Sequence, residues 1–140
     1  MGFFTLPMAR MAGETGRVYS IDVQEKMIKS LNRRVAKAKL QNRIEARLCS
    51  ESSLEVKDLA DKIDFALAFA VVHEVPDQAK LFEELFTSLR RGGRLLISEP
   101  TGHVTKEGFD ETIETAKSSG FTVAGYPEIK RSLSAVFVRQ

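Results

Sequence analysis

The 140-residue sequence contains one cysteine, Cys49, so no internal disulfide can form and a reducing, cytoplasmic setting is expected. Its longest uninterrupted apolar run, from Phe65 to Val72, is eight residues, far short of the roughly 20 needed to cross a bilayer. No membrane span is expected. Gly2, Phe3 and Phe4 follow Met1 with no basic segment and no small-residue cleavage pattern, so no secretory leader is expected. Neither sign of charge predominates: 21 Lys and Arg stand against 19 Asp and Glu, interleaved, for a net charge of +2. A nucleic-acid surface would need a concentrated basic stripe. The two histidines, His73 and His103, show with Cys49 no metal-ligand spacing, so no metal site is expected. A nucleophile elbow and a GxxxxGK[ST] phosphate loop are missing too. What is present is 43% hydrophobic and 29% charged residues, a mix that builds a packed core, in a length that suits a single domain over residues 1–140.

Apolar periodicity divides the chain into alternating helices and strands. Residues 3–12 read as a short helix with Phe4, Met8 and Met11 on one face, Thr5 as cap and Pro7 in the first turn. A strand over Arg17–Asp22 precedes a helix over 24–38 with Met27, Ile28, Leu31 and Val35 facing inward. Arg43–Cys49 reads as a strand, and the apolar residues 63–72 as a central strand buried on both faces. An amphipathic helix over Asp77–Arg91, ended by Gly92-Gly93, leads to a strand over 93–99. Thr105 should cap a helix to Ser119, with Gly120 just past its end. Phe121–Tyr126 and Leu133–Arg139 are separated by too few residues for a parallel crossover, so they should pair antiparallel. The implied fold class is α/β: a mostly parallel, Rossmann-like sheet with helices on both faces and an antiparallel strand pair at the C-terminus.

In such sheets, ligands bind outside the carboxyl ends of the strands. Four ends are readable: Asp22, Cys49-Ser50-Glu51, Phe69 to Glu74, and Glu99-Pro100. Asp22 stands twenty residues after Gly2, the spacing at which a carboxylate accepts hydrogen bonds from ribose hydroxyls in dinucleotide-binding folds. The same residue also suits a turn that starts the following helix. His73 and Glu74 follow the central strand. They can serve as proton acceptors for a substrate, or His73 can simply bond a backbone group at the strand end. The basic run from Asn32 to Lys39 suits a solvated helix face, and Met8, Met11, Phe82 and Phe86 suit the core.

The segments Gly2 to Arg10, Val18 to Asp22, Asp64 to Asp77 (DFALAFAVVHEVPD) and Leu89 to Pro100 (LRRGGRLLISEP), in this order and with the terminal strand pair, resemble a class I S-adenosylmethionine-dependent methyltransferase. The likeness is to the small-molecule branch with the methyltransferase domain of ubiquinone/menaquinone-type and arsenite-type enzymes. The resemblance implies S-adenosyl-L-methionine as cofactor and a small-molecule methyl acceptor. By the same resemblance Gly2, with Phe3 beside it, is the end of the glycine-rich loop approached by the cofactor's amino-acid moiety. Asp22 then holds the ribose and Val23 lies beside the adenine. Ser50 stands where many relatives carry an Asp near the adenine amino group, a contact Glu51 can supply. Phe69 and Ala70 border the cofactor with their backbone, Phe69 replacing a frequent Asn. His73 and Glu74 face the methyl-transfer site.

The family places a further hydrophobic strand and the first loop glycines ahead of Gly2, so relative to it the chain reads as N-terminally truncated, with the first central strand missing. Three arrangements would compensate for the two interior edges this leaves: direct pairing of the neighbouring strands, a homodimer, or a longer gene product. An incomplete loop also leaves a second functional reading, a noncatalytic methyltransferase-like module.

Overall fold

The computed structural model describes residues 4–140, and its contacts divide the chain into two compact units, Met1–Glu51 and Ser52–Gln140. Gly2 and Phe3 lie outside the described residues.

In the first unit, helix α1 (Thr5–Ala12) is followed by strand β1 (Val18–Asp22), helix α2 (Glu25–Lys37) and strand β2 (Ile44–Leu48). Strands β1 and β2 pair in parallel from Val18 opposite Ile44 to Asp22 opposite Leu48, as the intervening helix requires. Ala9, Val18, Leu31, Val35, Leu40 and Ile44 form the core, so α2 is held by its Leu31 and Val35 stripe while its arginines face solvent. Two expectations change here. Phe4, not Thr5, occupies the cap position of α1, and the buried Thr5 hydroxyl instead lies 3.3 Å from that of Ser20. Met11 is 87% exposed, two residues and so about 200° around α1 from the buried Ala9.

In the second unit, strands β3 (Ile63–Phe69), β4 (Leu89–Pro100), β5 (Thr122–Gly125) and β6 (Ser132–Val138) form one sheet in the order β3-β4-β6-β5. Strands β3 and β4 are parallel, and β6 runs antiparallel to both β4 and β5, so the terminal pair is antiparallel as its short connection demands. Helices α3 (Gln78–Ser88) and α4 (Lys106–Ser118) pack on this sheet. Phe82 from the first and Phe109, Ile113 and Ala116 from the second meet Leu95, Ile97, Ala135 and Phe137. Phe121 sits edge-on to Phe82 and Phe86, an arrangement aromatic quadrupoles favour. Asp77 and Thr105 cap the two helices, accepting from the backbone N–H of Lys80 and Gly108.

The third helix of the chain is shorter than its periodicity predicts. It stops at Ser88, because Leu89 leaves it to pair with Ile63 and the Arg139 guanidinium takes the carbonyls of Phe86 and Leu89. The apolar run 63–72 also differs from a strand buried on both faces. Strand β3 ends at Phe69, Val72–Glu74 form a single 3-10 turn, and Phe65 and Val71 are 44% and 41% exposed. Among the described residues β3 has one ladder partner, β4, which explains why its apolar side chains are not enclosed. In the first unit the ladder partner of β1 is β2.

Candidate active site

In the first unit, parallel pairing brings the carboxyl ends of β1 and β2 side by side: the Cys49 N–H donates to the Asp22 carbonyl at 2.9 Å. Asp22 and the Ser50-Glu51 corner therefore sit at one sheet end. One Asp22 oxygen, Oδ1, accepts the Gln24 N–H at 2.8 Å and starts the turn into α2. Among the described residues no hydrogen bond engages Oδ2. Both readings of Asp22 thus fit one side chain, since a carboxylate has about four lone-pair sites and the turn uses one. Val23 follows, 48% exposed, and Ser50 and Glu51 are exposed as well. An unspent carboxylate oxygen, an open apolar side chain and a polar corner suit a nucleoside's diol, base face and exocyclic amine respectively.

In the second unit, the register places Phe69 opposite Ser98. Ala70 then turns with φ +57°, its N–H donating to the Ser98 carbonyl at 2.7 Å. A left-handed conformation is costly for a residue with a Cβ, and such strain concentrates at functional strand ends. The turn delivers Val72, His73 and Glu74 beside Glu99 at the end of β4. Glu99 is buried, accepting the Val72 N–H through Oε1 at 2.8 Å and bonding His73 Nδ1 through Oε2. His73 therefore bonds a carboxylate instead of the backbone group that a plain strand end would offer. The Val72 carbonyl accepts from the Gln78 amide, and Gln78 in turn accepts from the Thr112 hydroxyl, so β4, α3 and α4 all fasten the turn. His73 and His103 stack with centroids 5.9 Å apart and line an open cleft of about 810 Å³ together with Asp77, Gln78, Glu111 and Thr112. Glu74 is exposed, with its Oε1 3.8 Å from His73 Nε2, beyond hydrogen-bond reach.

A family described as "Methyltransferase domain" matches residues 1–131. The chain belongs to this methyltransferase-domain family. It is 31% identical over 98 residues to the arsenite methyltransferase of Halobacterium salinarum, covering 70% of this chain and 24% of that one. It is 24% identical over 112 residues to the demethylmenaquinone methyltransferase of Lactobacillus johnsonii, covering 78% of this chain and 45% of that one. This methyltransferase domain thus spans less than half the length of either curated relative. Among solved structures it superposes on a SAM-dependent methyltransferase from Aquifex aeolicus with a TM-score of 0.86 and 25% identity, over 99% of this chain and 77% of that one.

The strand-end rule therefore brings together Asp22, Val23, Ser50 and Glu51 in one unit, and His73 and Glu74 after Phe69 and Ala70 in the other. It marks Glu99 only as a strand end. The residue's bond to His73 depends on the parallel register of β3 and β4, which no local pattern specifies.

Proposed function

We propose that the chain is an S-adenosylmethionine-dependent methyltransferase that passes the methyl group in line to a small-molecule acceptor. The observation that carries the reading is Asp22, whose carboxylate ends β1 with an oxygen to spare for a ribose, in a chain of this family. When bound, the cofactor supplies a methyl group on a positively charged sulfur, already activated for transfer. Asp22 accepts its ribose hydroxyls, Val23 offers an apolar contact to the adenine, and Glu51, in place of the Asp that Ser50 replaces, accepts from the adenine amino group. Phe69 and Ala70 border the cofactor through their backbone. His73, with Glu74 nearby, orients the acceptor and takes its proton. Much of the acceleration comes from holding the acceptor in position, since the donor needs no further activation.

The proposal extends to a cytoplasmic setting, supported by the single cysteine, and to a homodimer, supported by the exposed Phe65 and Val71 along the β3 segment. No described helix is long and apolar enough to cross a membrane. Isothermal titration with S-adenosylmethionine and S-adenosylhomocysteine tests the central claim. Saturable binding is expected; no heat at millimolar ligand would leave the noncatalytic module as the better account.

A further inference from the structure

Glu99 is 2% exposed, and a buried carboxylate is costly unless it is fully paired. Here both oxygens are used, one by the Val72 N–H and one by His73 Nδ1. An ionised carboxylate only accepts, so Nδ1 carries the imidazole proton and Nε2 of the neutral ring is left as the acceptor. Val72 is wholly buried and both its backbone groups are bonded, so the ring has little freedom to turn away. The charged groups near this ring are Glu99 at Nδ1, Glu74 at 3.8 Å from Nε2, and Asp77 and Glu111 along the cleft, with His103 stacked on its face. Among the described residues neither Lys nor Arg lines the cleft.

We propose that Glu99 is a positioning residue that fixes His73 as the Nδ1–H tautomer, and that Nε2 takes the proton of a hydroxyl-bearing acceptor of the phenol or enol class. The inference rests on the methyltransferase reading for its use and on the dyad geometry for its substance. In the step it describes, the acceptor's O–H bond breaks, its electron pair stays on oxygen, and the proton forms the Nε2–H bond of an imidazolium that the Glu99 carboxylate neutralises. An anionic acceptor would meet Glu74, Asp77 and Glu111 without a compensating cation. An acceptor that attacks through an unprotonated lone pair would have no use for the dyad.

Nitrogen-15 NMR of the two histidines in mildly alkaline buffer, with His103→Gln to assign them, reads the tautomer directly. Wild type is expected to show His73 protonated at Nδ1. In Glu99→Gln the amide oxygen can still accept from Val72 while its NH2 donates to Nδ1, so the tautomer should flip to Nε2–H. Glu99→Asp should restore the Nδ1–H form. His73 protonated at Nε2 in wild type, or unmoved in Glu99→Gln, would overturn the assignment, and the wild-type spectrum decides even if the glutamine variant does not fold. Millimolar 4-methylphenol, which keeps its O–H under these conditions, should shift the Nε2 resonance and 4-methylanisole should not. Equal shifts, or none, would refute the acceptor class. Loss of cofactor binding with the tautomer intact would instead refute the methyltransferase reading alone.

Discussion

Asp22 serves the turn into α2 through Oδ1 and, in the proposed function, the cofactor through the rest of its carboxylate. Two substitutions separate these duties. Asn in its place still presents an oxygen to the Gln24 N–H, so Asp22→Asn should fold with nearly unchanged stability. It exchanges a charged acceptor for a neutral one and puts an NH2 donor where a second acceptor stood. Hydrogen bonds to charged groups contribute about 1.5–3 kcal/mol each against about 0.5–1.5 for neutral ones. With both ribose hydroxyls affected, the loss is about 1.5–3 kcal/mol, or roughly 10- to 150-fold in affinity. Asp22→Ala should lose this binding and also the turn, costing a further ~1 kcal/mol of stability, as removal of a helix-start acceptor does. Calorimetric titration with S-adenosylhomocysteine and denaturant unfolding measure the two effects independently. Unchanged affinity in Asp22→Asn would show that the ribose is not held here. Equal destabilisation of both variants would show that the turn depends on the charge and not on the oxygen.

Two positive-φ positions should respond in opposite directions. Ala70 holds φ +57° against a penalty of roughly 1–2 kcal/mol for a residue with a Cβ, and the added backbone entropy of glycine offsets about 0.5–1 kcal/mol of its removal. Ala70→Gly should therefore raise unfolding stability by about 0.5–1 kcal/mol; a loss in denaturant titration would mean that the methyl group packs usefully. At Gly120, φ is +112° and an added Cβ would lie 2.9 Å from Phe86 Cε2, within the aromatic cluster. Gly120→Ala should cost about 1–3 kcal/mol through overpacking and strain, and a neutral result in the same assay would show that Phe86 moves freely.

The alternation of helix and strand was legible because each element announces itself locally. The Leu31 and Val35 stripe, the Thr105 cap and the brief span between β5 and β6 all act within a few residues. The errors fall where a distant partner decides. The end of α3 depends on Arg139, some fifty positions on, reaching back to the carbonyls of Phe86 and Leu89. The enclosure of β3 depends on how many strands flank it, whereas an apolar run reports only that burial would be favourable. In α1 the helical period was legible but not its phase: Thr5 and Ala9 are buried, whereas Phe4 and Met11 face solvent, since a face is buried only where something covers it.

The same distinction governs the site. Asp22 was legible as a strand end because its strand and its turn into α2 are local. His73 was legible as a position but not as a chemical group, because an imidazole's role depends on what meets its second nitrogen. That partner lies 26 residues away and is delivered by the pairing of Phe69 with Ser98, which leaves Glu99 one step beyond the last paired residue of β4 in this ladder. The serine before it bonds the hydroxyl of Ser134 inside the sheet, so Ser98 belongs to the fold and Glu99 to the cleft-facing turn. A residue that ends a parallel strand acquires its function from its neighbour's register. A carboxylate at the end of one strand and a histidine just past the end of the next form the kind of pair that sequence can nominate but only topology can join.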